Sequence, residues 1–191
     1  MHKVILISGS PRKDGNSMGA LQVAAEVLRS EGLETEIITL AGMNIGCCLA
    51  CPRCSFNDGG HCIIEDGANE IYAKIEQADG LILAAPVYFG TARGAMMNFI
   101  QRLGMCSNRH GRFLEGMVGG PIAVARRGGH TMALSEMLMF CYICGMTVCG
   151  SHYWNMLFGM NKGEALHDEE GVSTVRLFAR RVADTISKTR G

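Results

Sequence analysis

The opening of the chain, a strand, a polar loop and a helix in direct succession, constrains its fold more than any other segment. Residues 3–8 (KVILIS) form a continuous apolar run, which is typical of a strand covered on both faces in a parallel sheet. After a loop over residues 9–16, Met18 and Leu28 bound a stretch with apolar residues at helical spacing, and Gly32 follows its end. Ser17 is a candidate helix start. This order of elements predicts an α/β fold.

The same alternation continues along the chain. Apolar runs predict strands over residues 34–40, 80–86, 121–125 and 147–149, and helical spacing predicts helices over residues 67–78, 91–103, 131–144 and 173–188. Such alternation favours a parallel sheet with right-handed crossovers, and five strands are the count of a flavodoxin-like three-layer sandwich. We expect one domain over residues 1–191. A cysteine-rich loop at residues 41–66 and a tract of Met and aromatic residues at 153–160 do not fit simple crossovers.

The charge balance and the length of the apolar segments argue against nucleic-acid and membrane partners. Lys plus Arg equals Asp plus Glu at 18 each, so no long-range field favours nucleic acid or an anionic membrane. The apolar run near the N-terminus is too short for a signal peptide or a membrane span. We therefore expect a cytoplasmic protein whose partners are small molecules or other proteins.

The loop at residues 8–17 (SGSPRKDGNS) has the composition of a phosphate site. Between a strand and a helix, backbone N–H groups, hydroxyls, Arg12 and the helix N-terminus can all meet one anion. The loop lacks the GK[ST] motif of a Walker loop and the spacing of a dinucleotide fingerprint, so a single terminal phosphate suits it best. An ordinary capped turn is the alternative interpretation.

A second loop, residues 85–91 (APVYFGT), follows the predicted strand at residues 80–86. Ligands of a parallel sheet bind at the carboxyl ends of its strands. A sharp turn with Tyr, Phe and Gly offers the apolar slot and the backbone donors that an isoalloxazine ring needs. Tyr88 and Phe89 could instead be core residues that cover the end of the sheet.

A third loop, residues 125–130 (ARRGGH), follows the strand predicted at residues 121–125, and we expect it at the same edge of the sheet. The Gly pair permits close backbone approach, and the adjacent positive charge would favour the anionic form of a reduced flavin. A solvated turn with His130 as a helix cap is the other interpretation.

Together, the three loops resemble those of the flavodoxin-like NAD(P)H-dependent FMN reductases, whose phosphate loop reads G-S-x-R-x-x-G-N-[ST] and whose ring loop reads P-x-Y-[FW]-G. The helix after the ring loop departs from that family, because Met97 and the pair Gln101-Arg102 stand where a Lys and an Asp-Arg pair are common. The resemblance implies FMN phosphate at Ser10, Arg12, Asn16 and Ser17, the flavin ring at Pro86, Val87, Tyr88, Phe89 and Gly90, and a third contact at Arg126, Arg127, Gly128 and Gly129.

Nine cysteines are many for a reducing compartment, where thiols serve as metal ligands, redox groups or buried residues more often than as disulfides. Cys48, Cys51, Cys54 and Cys62 form the pattern C-x2-C-x2-C-x7-C. Three closely spaced thiolates in an irregular turn can wrap three irons of a cubane, and a fourth can close it. Four thiolates also satisfy zinc, although zinc sites usually pair two separated C-x2-C knuckles. A loop without metal is the third interpretation.

The four-cysteine pattern resembles the compact motif of the iron-sulfur flavoproteins, a branch of the same FMN family. That resemblance implies a 4Fe-4S cluster on Cys48, Cys51, Cys54 and Cys62. Cys47 could replace Cys48 only by lengthening the first spacing to x3, so we treat it as a spare thiol. The other cysteines lie among Met and aliphatic residues, which predicts buried thiols at Cys106, Cys141, Cys144 and Cys149.

The sequence therefore predicts an FMN-dependent electron-transfer oxidoreductase whose 4Fe-4S cluster exchanges electrons with a small redox protein such as a ferredoxin. NAD(P)H is a candidate electron donor, and the apolar tract predicts a homodimer or homotetramer. A cluster-free NAD(P)H-dependent FMN or quinone reductase is the first alternative, and a redox sensor or zinc-stapled binding module is the second. Transfer between cofactors needs no acid-base residue, so no catalytic side chain is nominated.

Overall fold

The computed structural model describes residues 1–190, and Gly191 lies outside the described residues. Its first strand, β1 (Lys3–Ser8), has the predicted bounds. The four apolar residues in the middle of β1 are completely buried because helices cover both faces of the sheet. The predicted α/β, flavodoxin-like fold with a parallel sheet is confirmed.

The sheet has five strand positions, in the order β2-β1-β3-β5, with β6 and β7 both pairing with β5 at the outer position. These strands pair in parallel, whereas β4 pairs antiparallel with β3 and forms the second arm of a hairpin. In chain order the strands after β1 are β2 (Glu34–Thr39), β3 (Gly80–Tyr88), β4 (Thr91–Ala92), β5 (Val118–Ala125), β6 (Thr147–Val148) and β7 (Met156–Phe158).

Within residues 1–190, five helices cover the two faces of the sheet and give the three layers. Leu21 and Phe178 bury one face under α1 and α5, and Phe99 and Met137 bury the other under α2, α3 and α4. None of the helices in the described residues has the length and apolar character that a bilayer-spanning segment needs. The helices are α1 (Asn16–Ser30), α2 (Ala68–Glu76), α3 (Gly94–Arg109), α4 (His130–Ile143) and α5 (Glu169–Thr189).

The outer strand is split in two, which the sequence pattern did not predict. β6 pairs with the start of β5 and β7 with its end, and the chain between them leaves the sheet. Asn155 fastens this excursion, because its carbonyl accepts from the Ala123 amide (2.9 Å) and its side chain donates to the Pro121 carbonyl (3.2 Å). β7 lies within the tract at residues 153–160, and a run of three residues is too short to show a strand period.

The helix predicted over residues 91–103 begins later and ends later than expected. Thr91 and Ala92 form β4, and α3 runs from Gly94 to Arg109. The carboxylate of Glu136 on α4 accepts hydrogen bonds from the Thr91 hydroxyl and the Ala92 amide (3.0 Å), which holds β4 extended. A side chain distant in sequence therefore decides where α3 starts.

Candidate functional site

The N-terminus of α1 opens onto a cleft at the carboxyl ends of the central strands. Ser10 Oγ accepts a hydrogen bond from the Arg12 amide (3.1 Å), which turns the loop toward the helix. Within the described residues, no side chain caps the first amides of α1 and no acidic residue occupies its first turn. The partial positive charge of the helix terminus therefore faces the cleft uncompensated, and Arg12 beside it adds a full charge.

Asn16 and Ser17, the other predicted phosphate residues, also line this cleft. The Asn16 side chain donates to the Asn161 carbonyl (2.9 Å) and accepts from the Gly163 amide (2.9 Å). It thereby holds the segment after β7 against the phosphate loop. The side-chain amide of Asn16 is therefore already bonded within the protein. What Asn16 can offer an anion is its backbone N–H group at the start of α1.

The predicted ring loop is a β-hairpin with a two-residue turn at Phe89 and Gly90. Pro86, Val87 and Tyr88 line the cleft, whereas Phe89 is fully exposed at the tip. Both turn residues have positive φ (51° and 88°), the combination of a type I′ turn. A non-glycine residue in this conformation costs about 1–2 kcal/mol, so the backbone at Phe89 is strained.

The third predicted loop meets the ring hairpin directly. Arg126 lines the cleft, and Arg127 and Gly128 are exposed beside it. Gly129 has φ +87°, and a Cβ there would lie 2.8 Å from Val87 Cγ1, so the backbones of the two loops approach as closely as glycine allows. The buried imidazole of His130, 2.9 Å from the Leu157 carbonyl, ties this loop to β7.

The three loops thus converge on one cleft of about 580 Å³. Its wall also includes Gly159 and Met160, which follow β7 and which the sequence analysis did not nominate. The donors of the α1 terminus and Arg12 suit a phosphate, and the apolar side chains of Pro86, Val87 and Tyr88 suit a flat heteroaromatic ring. The residues present therefore fit a flavin mononucleotide.

A second pocket, which we call the cysteine pocket, lies between the loop at residues 41–66 and α3. The four cysteines predicted as ligands all line it, and Cys47 is exposed outside its lining. Apolar side chains fill much of the remaining wall. The lining residues are Cys48, Leu49, Ala50, Cys51, Pro52, Cys54, Cys62, Ile63, Ile64, Arg102, Met105 and Cys106.

Arg102 is a fully buried cation in this wall, and sequence reasoning missed its role. Its guanidinium forms an ion pair with Asp66 (2.5 Å) and donates to the Gly46 and Ile64 carbonyls (3.3 and 3.2 Å). Burial alone would raise the pKa of Asp66, but Arg102 and the Gly46 amide outweigh it and hold that pKa below 3.8. Burial likewise opposes the charge of Arg102, yet Asp66 raises its pKa and keeps it cationic.

The Nε–H of Arg102 is buried and has no hydrogen-bond partner within the described residues. The Cys62 thiol adjoins the guanidinium and contributes to its raised pKa. A buried donor without an acceptor is costly in a folded protein. Beside four thiols, such a donor suits the anionic sulfurs of a thiolate-ligated iron-sulfur cluster, and the arginine charge offsets part of the negative charge there. The residues present therefore fit such a cluster.

Side chains of Asp66, of Asn69 on α2 and of Asn98 on α3 hold the ends of the loop at residues 41–66. Asp66 accepts from the Gly46 amide (2.9 Å), and the Asn69 side chain bonds both the amide and the carbonyl of Cys62 (3.0 and 2.8 Å). Asn98 donates to the Ile45 carbonyl (2.9 Å). Among residues 1–190, no three His, Cys, Asp or Glu side chains are grouped as a single metal ion requires.

The remaining cysteines are buried, as predicted: Cys106, Cys141, Cys144 and Cys149. Cys106 differs from the others because it also lines the cysteine pocket. Burial and the neighbouring thiols of Cys54 and Cys62 raise the pKa of Cys106 to about 12. The predicted helix ended at residue 103, so the sequence analysis did not connect Cys106 with Arg102 on one helix face.

Comparison with known proteins adds independent information. The family model of the NADPH-dependent FMN reductases matches residues 2–160. An iron-sulfur flavoprotein of Methanocaldococcus jannaschii is 35% identical over 191 residues, covering 96% of this chain and 97% of that protein. An iron-sulfur flavoprotein of Methanosarcina thermophila is 32% identical over 188 residues, covering 96% of this chain and 95% of that protein.

Solved structures share the fold at low sequence identity. RosB, determined with bound 8-demethyl-8-formylriboflavin-5'-phosphate, superposes with a TM-score of 0.77 at 17% identity, covering 100% of this chain and 82% of that chain. The NAD(P)H:(acceptor) oxidoreductase FerB of Paracoccus denitrificans superposes with a TM-score of 0.70 at 17% identity, covering 98% of each chain. These two likenesses bear on the fold alone.

Proposed function

Because the chain belongs to the NADPH-dependent FMN reductase family, in its iron-sulfur flavoprotein branch, and is thus a flavin-dependent oxidoreductase, we propose that it transfers electrons between FMN and a 4Fe-4S cluster. FMN would occupy the cleft at the N-terminus of α1. The cluster would be bound by Cys48, Cys51, Cys54 and Cys62. One observation carries the proposal, which is that these four cysteines, spread over fifteen residues of loop, line a single pocket.

The cofactors would supply the redox chemistry, FMN exchanging electrons singly or in pairs and the cluster exchanging them singly. The protein's own residues bind and orient these groups. Ser10, Arg12 and the first amides of α1 would hold the phosphate, and Pro86, Val87 and Tyr88 would flank the ring. Arg126 beside the cleft would favour negative charge on a reduced ring.

Helix α3 supports exchange between the two sites because it adjoins both of them. The helix starts just after the ring hairpin, and its later residues Arg102, Met105 and Cys106 form a wall of the cysteine pocket. Arg102 is eight residues into the helix, which is roughly 12 Å along its axis. One rigid helix therefore connects the end of the ring hairpin with the cysteine pocket.

For the electron partner we propose a small redox protein of the ferredoxin type. Cys47, Leu49 and Phe56 are exposed on the loop that surrounds the cysteine pocket, so a cluster there would lie close to the surface that a partner reaches. NAD(P)H is the second candidate donor. The open side of the flavin cleft, where Tyr88 is partly exposed, favours that alternative, a cluster-free NAD(P)H-dependent FMN or quinone reductase.

Anaerobic purification followed by iron, sulfide, zinc and FMN analysis tests the proposal. We expect FMN together with iron and acid-labile sulfide in the amounts of one 4Fe-4S cluster per chain. Zinc in place of iron, or neither metal after anaerobic reconstitution, would contradict the cluster. Oxidation of NAD(P)H by iron-free protein at the rate of the loaded protein would favour the cluster-free reductase.

We also propose that the chain forms a homodimer or homotetramer. Helix α4 has apolar residues on every face, and Met132, Met139, Tyr142 and Ile143 are exposed on it. Exposed apolar side chains in such number on one helix are typical of a subunit interface. Sedimentation of the FMN-loaded protein should give an oligomer at micromolar concentration, and a monomer would contradict this part of the proposal.

A further inference from the structure

The cysteine pocket contains a fifth thiol that the four-cysteine motif does not include. Cys106 lies four residues after Arg102 on α3, so the two side chains share one face of the helix. Both line the pocket. Cys106 is 3% exposed and belongs to the hydrophobic core, against which Cys54 and Cys62 pack from the loop side.

Cys54 approaches α3 next to Cys106. Its sulfur lies 3.9 Å from the carbonyl of Met105, the residue before Cys106. Cys54 and Cys62 both pack against the buried cluster that contains Cys106, and all three thiols line the cysteine pocket. One corner of the pocket therefore holds two adjacent thiols from different elements.

These two thiols sit on supports of different rigidity. Cys54 lies in a single 3-10 turn (Arg53–Ser55) of a long loop and is partly exposed. Cys106 lies in the 16-residue helix α3, whose backbone hydrogen bonds do not depend on the loop. A displacement of the turn would move Cys54 away from a bound group, whereas Cys106 would keep its place.

We propose that Cys106 is a reserve ligand, able to replace Cys54 on one iron of the cluster at the cysteine pocket. This inference rests on the proposed function, since it concerns the same cluster. In such an exchange, the bond between iron and the Cys54 sulfur would break and a bond to the Cys106 sulfur would form. The thiol proton of Cys106 passes to the departing Cys54 sulfur, and no electron is transferred. The adjacency of the two sulfurs allows both steps without movement of α3.

The reserve role makes an asymmetric prediction for loss of single ligands. Cys54→Ala should retain its iron and sulfide after anaerobic reconstitution, because Cys106 takes over the vacant position. The double variant Cys54→Ala/Cys106→Ala should lose them. Cys106→Ala alone should retain the full cluster, since Cys54 is then present. The matched control Cys54→Ala/Cys141→Ala removes a buried thiol outside the pocket and should behave as Cys54→Ala does.

Iron and sulfide per chain, visible absorbance and the EPR signal of the reduced cluster are the measurements, with FMN content as a check that each variant is folded. Loss of iron from Cys54→Ala, or equal iron in Cys54→Ala and Cys54→Ala/Cys106→Ala, would overturn the reserve role while leaving the cluster intact in wild type. Absence of iron from reconstituted wild type would instead remove the proposed function and this inference with it.

Discussion

The flavin cleft and the cysteine pocket adjoin the same helix but are built by different means. Three short loops form the cleft, each following a parallel strand, so the sheet fixes their positions. The cysteine pocket depends on a loop of residues 41–66 that side chains such as Asp66 and Asn69 hold at its ends. Hydrogen bonding between the strands therefore forms the flavin cleft before any ligand binds. The cysteine pocket relies on a few polar contacts, and we expect a bound cluster to add to its order.

The largest expected effect is a complete loss of iron from the cysteine pocket without loss of FMN from the flavin cleft. Cys51→Ser removes one predicted ligand and should abolish iron binding in anaerobic protein, from the four irons of such a cluster to background. FMN should stay bound, because none of the described side chains of the loop lines the flavin cleft. Iron analysis and flavin absorbance on the same sample provide the measurement.

Cys47→Ser is the matched control for that experiment, since Cys47 is the neighbouring exposed thiol outside the pocket lining. It should keep the wild-type iron content. If Cys51→Ser kept four irons, or if it lost FMN together with iron, the separation between the two regions would not hold.

The next effect concerns the ion pair behind the pocket. Asp66→Asn leaves the buried Arg102 charge without a partner, which should lower the free energy of unfolding by about 3 kcal/mol. Urea denaturation of the iron-free protein measures this change. Asp14→Asn removes a carboxylate from an exposed ion pair with Lys162 and should leave the midpoint unchanged. A midpoint for Asp66→Asn equal to that of the control would contradict the role of the pair.

The ion pair between Asp66 and Arg102 also makes the stability of the folded protein depend on pH. The pKa of Asp66 is lowered in the folded protein, so its contribution to stability is fully present above the ordinary value of 3.8 and is lost as the pH falls through the lower folded value. The stability difference between wild type and Asp66→Asn should therefore be constant from neutral pH down to about 4 and should shrink at lower pH. A difference that grows with acid would contradict this sign.

A smaller effect should appear in the flavin cleft alone. Gly129→Ala places a Cβ 2.8 Å from Val87 Cγ1 at a φ of +87° and should lower the free energy of unfolding by about 2 kcal/mol. FMN affinity should fall because the ring hairpin shifts, while iron per folded chain stays constant. Gly150→Ala is the control, since Gly150 does not line the cleft and its Cβ would meet no described atom within 4 Å. Equal FMN affinity in the two variants would contradict the close approach.

The smallest effect concerns the phosphate. Arg12→Ala should weaken FMN binding about ten-fold, or about 1.4 kcal/mol, because an exposed charge-assisted contact is lost while the amides of α1 remain. Lys13→Ala removes an adjacent exposed cation that does not line the cleft and should change affinity less. FMN titration by fluorescence measures both, and an unchanged dissociation constant in Arg12→Ala would count against the phosphate assignment.

The sequence predicted the strands that position the flavin cleft, since β1, β3 and β5 are buried on both faces and leave continuous apolar runs. It could not show β4, because the Glu136 carboxylate that stabilises this strand lies 44 residues away. Nor could it show β7, whose three residues are shorter than a recognisable period. Elements specified by local pattern were predictable, and those specified by distant side chains were not.

The sequence predicted the four cysteines that line the pocket, but it did not predict the side chains of α3 that form the opposite wall. The spacing of the four cysteines carries the motif, but it says nothing about what lies opposite the loop. A signal for the wall was present in Arg102, a charged residue on the apolar face of a predicted helix, four residues before Cys106. Its buried charge and its orphan Nε–H become visible only when α3 is packed against the loop.

The hydrogen bond between the Gly46 amide and Asp66 closes the loop at its neck, so that residues 47–65 form an excursion whose two ends already touch. An excursion with such a neck is separable from its scaffold, because removing it need not move the strand before it or the helix after it. In terms of descent, the closed neck makes the cysteine-bearing segment a transferable module. A flavin-binding ancestor could acquire it, or a descendant discard it, in one insertion or deletion at a single point of the chain.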